Sequence, residues 1–260
     1  MTQNKIKDLS IQVNLNGLSF CILNRTDNSI EYINAISFDQ KLTPFETLKR
    51  LKAELASNTV FSSEFNSINV IHYNELATLV PKALYDEANN AEYLKFNSKI
   101  LKTDFIASDE LSSYDIVSVY VPYVNINNYI FETFGAFSYT HASTVFLNAA
   151  DKIITDTHNS TLIVNIQDTT MQVLVKGKSL EFYNYFEFTT PEDFIYYLLF
   201  TCEQKQLDPE NLALKLCGTV NKEDALYTIA YKYIRHVDIV EDSQHFLIKN
   251  SFDANHIGTI

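Results

Sequence analysis

Two stretches of the sequence decide the fold. Residues 13–24 read VNLNGLSFCILN, and residues 164–175 read VNIQDTTMQVLV. In each stretch apolar and polar residues alternate on both sides of a turn signal, which is Asn16-Gly17 in the first and Asp168-Thr169 in the second. Alternation with a period of two is typical of β-strands, and a short turn between two such runs predicts a hairpin. The chain therefore contains two similar β-hairpins.

The segments that follow the two hairpins are also alike. Each is followed by a third run with strand periodicity, and then by a Thr-Pro pair with an acidic residue three positions after the threonine. This arrangement predicts a capped helix start with a capping box. A short, almost continuous apolar run comes next and is typical of a buried strand. In order, these segments are 30–39, Thr43 to Glu46 and 68–73 in the first half, and 179–188, Thr190 to Asp193 and 212–218 in the second.

The order of these segments predicts an internal duplication. Val13 precedes Val164 by 151 positions, and Pro44 precedes Pro191 by 147. The alternative is a chance similarity between two β-rich halves. The duplication predicts one half over residues 1–154, with extra helices inserted between about 75 and 150, and a second half over 155–260. We place the break in the polar stretch TDTHNS at 155–160.

Several local expectations can be tested against the structure. Phe45, Leu48, Leu51 and Leu55 recur at helical spacing and predict one buried helix face. Residues 79–96 have helical character, 114–124 predict a strand, and the acidic DEL at 109–111 is expected in a solvated loop. The histidines have no metal-ligand spacing, and we expect His72 and His141 to be core or surface residues with no ligand.

Composition restricts the function classes. The formal net charge of -12 opposes binding to a phosphate backbone, so no nucleic-acid partner is expected. The three cysteines, Cys21, Cys202 and Cys217, have no metal spacing and fit reduced thiols in a cytoplasmic protein. We find no signal-peptide pattern at the N-terminus and no apolar stretch of the roughly 20 residues that span a bilayer. We therefore predict a cytoplasmic protein without membrane insertion and without a metal site.

The predicted element order resembles that of the actin-like ATPase superfamily. A three-strand meander, a helix, a strand, a helix and a strand (βββαβαβ) occur twice in that α/β fold, which joins two ribonuclease-H-like halves across a cleft. More narrowly, the segments TLVPKALYD at 78–86 and VYVPYVNINNYIFETFG at 119–135 resemble a bacterial domain-of-unknown-function family with this fold. The resemblance implies ATP and Mg²⁺ as the ancestral cofactors.

The resemblance also implies where nucleotide would bind. In the superfamily each first hairpin holds phosphate through a pattern close to Asp-x-Gly, and a Gly-Gly pair in the second half packs against adenosine. Here the Asp positions match Asn14 and Asn165, the Gly positions match Asn16 and Gln167, and the pair is reduced to Gly218. An amide brings no negative charge to Mg²⁺, and Gln167 carries a side chain where glycine would let phosphate approach.

Two functions of different class follow from these substitutions. The first is a non-catalytic interaction or scaffold protein with a degenerate nucleotide site, no catalytic residues and a protein partner that the sequence does not identify. The second is a divergent ATP-binding kinase or ATPase. Under the first, we expect the four amides of Asn14, Asn16, Asn165 and Gln167 to be hydrogen-bonded to protein. The strand FYNYFEF at 182–188 puts Tyr183 and Tyr185 on one face, which is either covered by a helix or exposed for recognition.

Overall fold

The computed structural model describes residues 6–154 and 159–253, together with the backbone of residues 258–259. The chain divides into two compact units. The first unit is Met1–Val145 with Ile248–Ile260, and the second is Phe146–Leu247. The break that the sequence predicts at 155–160 lies largely outside the described residues. The division at 145/146 falls earlier, inside a helix, and the end of the chain returns to the first unit.

The first unit contains a six-stranded mixed sheet and a smaller antiparallel sheet. The large sheet has the order β14-β8-β4-β1-β2-β3, and the small one has the order β5-β7-β6. Strands β1 to β3 form an antiparallel meander, and β1, β4 and β8 run parallel. The elements in chain order are β1 (Lys7–Asn14), β2 (Gly17–Asn24), β3 (Ser29–Ser37), α1 (Pro44–Ser57), β4 (Ser67–His72), β5 (Ala77–Pro81), α2 (Asn90–Lys95), β6 (Ala107–Leu111), β7 (Ile116–Tyr120), α3 (Val124–Phe134), β8 (Ser138–His141), α4 (Ala142–Ala150) and β14 (Gly258–Thr259).

The second unit repeats the large sheet without the insertion. Its five strands have the order β11-β10-β9-β12-β13. The elements are β9 (Thr161–Gln167), β10 (Thr170–Lys176), β11 (Leu180–Glu187), α5 (Pro191–Gln204), β12 (Ala213–Gly218), α6 (Ala225–Tyr233), β13 (His236–Ile239) and α7 (Phe246–Asn250), the last of which crosses back into the first unit. The βββαβαβ order is therefore present twice, and the predicted α/β fold with duplicated halves is confirmed.

Backbone hydrogen bonds fix the register of the duplication. The backbone N–H of Tyr73 donates to the Val13 carbonyl at 2.9 Å, and that of Thr219 donates to the Ile166 carbonyl at 2.8 Å. A β-bulge interrupts the β2–β3 pairing between Ile22 and Leu23, and another interrupts β10–β11 between Val175 and Lys176. The same 153 positions separate 13 from 166 and 22 from 175, so the bulge recurs at the equivalent place in both units.

This register corrects the one drawn from the sequence by two residues. Matching VNLN with VNIQ makes Asn14 equivalent to Asn165, whereas the structure makes Asn14 equivalent to Gln167 and Asn165 equivalent to Gln12. A slip of two residues keeps every side chain on the same face of the sheet, so periodicity alone could not detect it.

The first turn is also shifted by one residue from its predicted place. Asn14 pairs with Gly17 across the hairpin, so Leu15 and Asn16 form the turn and Gly17 begins β2. A Cβ atom on Gly17 would lie 2.5 Å from the carbonyl oxygen of Ile36 in β3. Glycine is therefore required here by the close approach of a neighbouring strand rather than by the turn itself.

Both long helices begin as the sequence predicts. The Thr43 hydroxyl accepts from the Glu46 N–H at 3.3 Å, and the Glu46 carboxylate accepts from the Thr43 N–H at 2.8 Å. Thr190 and Asp193 form the same reciprocal pair at the start of α5. The shorter aspartate side chain still reaches back to the cap, so both capping boxes are confirmed.

Each unit has its own apolar core on one face of its large sheet. Leu9, Ile11 and Val13 in β1 pack with Leu51 of α1 in the first unit. Leu162, Val164 and Ile166 in β9 occupy the equivalent core of the second unit. The predicted buried face of α1 is wrong at one position, because Phe45 is 79% exposed.

The inserted segment differs from its prediction. Residues 79–96 do not form one helix, since Ala77–Pro81 pairs with β7 as a strand and only Asn90–Lys95 is α-helical. The acidic DEL at 109–111 is not a solvated loop. It belongs to β6, where Asp109 is fully buried and Glu110 is exposed. Strand pairing with β7 takes precedence here over local helix propensity and polarity.

Candidate functional site

The end of β1 is the first position that the resemblance assigns to phosphate. Asn14 is buried, and its side-chain Oδ1 accepts the backbone N–H of Asn16 at 2.8 Å. The Asn16 carbonyl accepts from the Phe38 N–H, and the Leu15 carbonyl accepts from the Leu42 N–H, both at 2.8 Å. The amide of Asn14 therefore closes its own turn, which agrees with the expected bonding to protein. For Asn16 the bonding seen is that of its backbone.

The end of β9 is the second assigned position. Asn165 is fully buried, and its side-chain Nδ2 donates to the Gln172 Oε1 at 3.0 Å. The Gln172 Nε2 donates in turn to the Tyr183 hydroxyl at 2.8 Å. The Tyr183 ring lies 6.4 Å from the ring of Phe146 in α4. Asn165 is thus part of a row of hydrogen-bonded side chains on β9, β10 and β11, and Tyr183 is half-buried against Phe146.

Gly218 has a structural requirement of its own. Its φ of +91° lies in the left-handed region, and a Cβ atom would meet the Ile166 carbonyl oxygen at 2.0 Å. Only glycine satisfies both conditions without moving β9 away from β12. Gln167, at the end of β9, is partly buried, and its backbone carbonyl accepts from the Thr170 hydroxyl at 2.9 Å. The assignment of these residues to nucleotide stays a prediction.

The two strand ends carry no carboxylate. Asp168, one residue beyond β9, is exposed, and its backbone has a φ of +48° in the turn. No group of three or more His, Cys, Asp or Glu side chains that could hold a metal ion occurs within residues 6–154 and 159–253. Phosphoryl transfer depends on positioning and on charge neutralisation by a metal, so amides alone offer little to that chemistry.

A buried polar network lies where the small sheet meets β8. The Asp109 carboxylate accepts four hydrogen bonds, from the Thr140 hydroxyl at 2.6 Å, the Thr144 hydroxyl at 2.8 Å, the His141 N–H at 2.9 Å and the Tyr120 hydroxyl at 2.9 Å. Burial raises the pKa of Asp109, and the hydrogen bonds from these donors oppose that shift. Because the donors come from β7, β8 and α4, the network fastens the insertion to the large sheet.

Two buried histidines belong to the same region. The His141 Nδ1 lies 2.7 Å from the Ser143 hydroxyl, and the His72 Nε2 lies 2.9 Å from the Asn127 Oδ1. Burial lowers the pKa of His72 to about 3 and that of His141 to about 4. Both are therefore neutral at physiological pH and hydrogen-bonded in the core, as predicted. The sequence signal for the two histidines is their place within or at the end of apolar strands, whereas the prediction of a solvated loop at Asp109 is wrong.

An apolar groove of about 510 Å³ lies beside the first hairpin. Its apolar lining comes from the β1–β2 turn, the starts of α1 and α3, and the loop between α2 and β6. Five of these side chains are exposed, including Leu101 at 69% and Phe45 at 79%. These apolar lining residues are Leu15, Pro44, Phe45, Leu101, Phe105 and Val124. The sequence carries no signal for this groove, because Phe45 fits the helical spacing of Leu48 and Leu51 and only its exposure in the structure sets it apart.

A second set of exposed aromatic side chains lies on α5 and α6 of the second unit. Tyr196 and Phe200 stack with ring centroids 6.0 Å apart, and Tyr231 is 62% exposed. We refer to Tyr196, Phe200 and Tyr231 as the aromatic face of the second unit. No helix among the described residues can span a bilayer, since the longest of them, α1 and α5, have 14 residues each.

Comparison with known proteins identifies the family and the fold of this chain. The chain belongs to the family described as "Protein of unknown function (DUF3822)", whose sequence pattern matches residues 1–237. The chain is similar over 98% of both lengths, with a TM-score of 0.85 and 19% identity, to a Bacteroides thetaiotaomicron VPI-5482 protein with an actin-like ATPase fold and unknown function. The chain has the actin-like ATPase fold, and the suspected family resemblance is confirmed.

More distant structures share the fold at lower similarity. One is the PilM-PilN type IV pilus biogenesis complex, with a TM-score of 0.57, 12% identity and coverage of 91% of this chain and 88% of that one. Another is the cytoplasmic domain of EpsL, an inner membrane component of the type II secretion system of Vibrio cholerae, with a TM-score of 0.51, 11% identity and 96% coverage of both. The comparison with curated proteins gives no match.

Proposed function

We propose that this chain is a non-catalytic interaction protein built on an actin-like ATPase fold whose nucleotide site is degenerate. The observation that carries the proposal is the bonding to protein of Asn14 at the end of β1 and of Asn165, the position in β9 that the sequence match assigns to phosphate. Asn14 holds its own turn, and Asn165 holds Gln172. An amide that is already paired would have to lose that bond in order to contact a phosphate or a metal-bound water, and a buried polar group without a partner costs about 1–3 kcal/mol.

The missing charge supports the same proposal. Mg²⁺ is usually held by one or two carboxylates together with substrate phosphates. Neither strand end supplies a carboxylate, and Gly218 is accounted for by the approach of Ile166. An enzyme with this fold would need a carboxylate for the metal and a glycine that lets nucleotide approach. We therefore propose no catalytic residue and no cofactor.

Without nucleotide chemistry, binding to another protein is the function that we propose for the surface of this chain. PilM is found in complex with PilN, and EpsL is a component of a secretion system, so relatives of this fold take part in protein assemblies. In this chain the apolar groove and the aromatic face offer large exposed side chains of the kind enriched at interfaces. We also propose a cytoplasmic location, since Cys21, Cys202 and Cys217 are all free, buried thiols.

Thermal unfolding with nucleotide tests the proposal. Saturation with ATP and Mg²⁺ at 100 times the Kd would stabilise the protein by roughly 2.7 kcal/mol, which corresponds to about 5 °C or more in a chain of this size. We expect no shift in Tm with Mg·ATP beyond that given by MgCl₂ alone. A Mg²⁺-dependent shift with ATP would instead support the second candidate, a divergent ATP-binding kinase or ATPase.

A further inference from the structure

The apolar groove is lined by several large apolar side chains that are exposed to solvent; we call these side chains its rim. Phe45, Leu101 and Phe105 are 79%, 69% and 53% exposed and line its walls. A volume of about 510 Å³ would hold a few apolar side chains. A small molecule in the groove would leave the rim in water, whereas a segment of polypeptide would cover both the groove and its rim.

The walls of the groove are held by hydrogen bonds. The Asn125 Nδ2 at the start of α3 donates to the Pro44 carbonyl at the start of α1 at 2.8 Å. In the loop between α2 and β6 the Leu101 N–H donates to the Asp104 Oδ2 at 2.7 Å, and the Asp104 N–H donates back to the Leu101 carbonyl at 3.1 Å. A groove held in this way requires little ordering when it binds, which favours affinity.

The charged side chains that line the groove differ in whether they already have a bonding partner. Glu75 is paired with Lys41 at 3.6 Å, and the Asp104 carboxylate is used by the Leu101 N–H. Lys99 also lines the groove, and among the described residues it has no ion pair. Lys99 is therefore the charged lining side chain that has neither an ion pair nor a hydrogen-bond partner among the described residues, and it can accept a single carboxylate of a partner.

We propose that this groove binds a short segment of a partner protein that carries two or more large apolar side chains and a carboxylate positioned for Lys99. The inference rests on the proposed interaction function and names the partner's chemistry. The apolar side chains would fill the groove between Phe45 and Leu101, and the carboxylate would pair with Lys99. This combination gives an apolar anchor with a polar rim, the usual anatomy of a specific interface.

Two other occupants fit the groove less well. A bilayer surface is broad and does not enter a concave groove, so it would leave the groove lining uncovered. A second copy of the chain would bring another net charge of -12 to the contact, which opposes self-association. Both occupants are outcomes of the experiment below.

The experiment is a selection of random peptides of about 12 residues, displayed on phage, against the full chain. We expect enrichment of peptides with paired apolar side chains and an Asp or Glu. A fluorescent peptide of the enriched sequence should bind at least about 10-fold more weakly to Phe45→Ser and to Leu101→Ser, the loss expected when an interface anchor is removed. Lys99→Glu should shift the selection towards peptides with Lys or Arg.

Matched control variants keep the test specific. Phe96 is 87% exposed in the same insertion but does not line the groove, so Phe96→Ser should bind the peptide as the unchanged protein does. Lys102→Glu is the control for Lys99→Glu, because Lys102 is exposed and lies outside the lining. All these side chains are exposed, and unfolding curves of the variants should match that of the unchanged chain.

Several results would overturn the proposal. These are no enrichment, equal loss of binding in Phe96→Ser, Phe45-dependent pelleting with vesicles of phosphatidylcholine and phosphatidylserine, or a dimer in solution that Phe45→Ser abolishes. Enriched peptides that are lost in Tyr196→Ser instead would move the partner to the aromatic face and leave the interaction function standing. Binding of Mg·ATP in the thermal experiment would contradict the proposed function itself, so the two failures are distinguishable.

Discussion

His72 in the first unit and Gly218 in the second occupy the same place in the duplicated fold. Each is the residue before a backbone N–H that bonds back to the first strand, from Tyr73 to Val13 and from Thr219 to Ile166. His72 extends a side chain into the buried network below the insertion, whereas Gly218 has no side chain because the Ile166 carbonyl fills that space. The difference shows that the backbone arrangement is duplicated, whereas the side chains at the two equivalent strand ends have different structural roles.

The largest expected effect comes from a variant that breaks the Asp109 network of the first unit. Asp109→Ala leaves four buried donors without their acceptor, and each unpaired group costs about 1–3 kcal/mol. We expect the free energy of unfolding to fall by about 5 kcal/mol in urea denaturation followed by circular dichroism. Glu110→Ala, in the next position of the same strand, removes a surface ion pair with Lys82 and an exposed hydrogen bond from the Ser112 hydroxyl, and should cost less than about 1 kcal/mol. Equal effects of the two variants would contradict the structural role of Asp109.

The next effect addresses Gly218 in the second unit. Gly218→Ala combines a left-handed φ with a Cβ atom 2.0 Å from the Ile166 oxygen, so we expect a loss of about 4 kcal/mol. Gly135→Ala is the matched control, because Gly135 has a φ of +81° with nothing within 4 Å of its Cβ position. It should lose about 2 kcal/mol from backbone strain alone, so the difference between the two variants measures the clash. A tolerated Gly218→Ala would show that β9 and β12 are not packed as described.

The comparison also predicts a difference in pH dependence. Burial lowers the pKa of His72 to about 3 and that of His141 to about 4, so the unfolded state takes up more protons as the pH falls below about 6.5. Stability is present above that pH and is lost as the pH falls. Each histidine contributes at most about 1.4 kcal/mol per pH unit, and the raised pKa of Asp109 offsets part of the loss. We expect a net loss of about 3 kcal/mol between pH 7 and pH 5.

Hydrogen exchange resolved along the chain checks where that loss occurs. Within the described part of the second unit, His236 is exposed and His245 is partly buried, so neither is a core histidine. Protection of strands β1, β4 and β8 should fall at pH 5 while protection of β9 and β12 changes little. A uniform loss of protection in both units would assign the pH dependence to other groups.

Much of the fold could be predicted from the sequence because its signals are local. The strand periodicity, the Thr-Pro helix starts and the order of elements each depend on a few neighbouring residues. The register of the duplication could not be predicted, since a two-residue slip keeps Val13 and Val164 on core faces. The buried role of Asp109 could not be predicted either, because its four donors lie between 11 and 35 positions away in the chain.

The candidate site was less accessible to sequence reasoning than the fold. The amides at Asn14 and Asn165 were identified, and their bonding to protein is confirmed. The groove was missed because Phe45 fits the helical pattern of Leu48 and Leu51, and only the structure shows that the first turn of α1 projects beyond the core. A large apolar residue at the second position of a helix can therefore belong to a surface rather than to the buried face.

The central claim is that the strand-end amides are structural members and not remnants of a working nucleotide site. Asn165→Asp places a carboxylate at the position that the sequence match assigns to the superfamily Asp, but it replaces a donor to Gln172 with an acceptor in a fully buried position. The measurement is the free energy of unfolding of this variant with and without Mg·ATP. We predict a loss of about 2 kcal/mol that nucleotide does not restore. Stabilisation of Asn165→Asp by Mg·ATP would contradict the account.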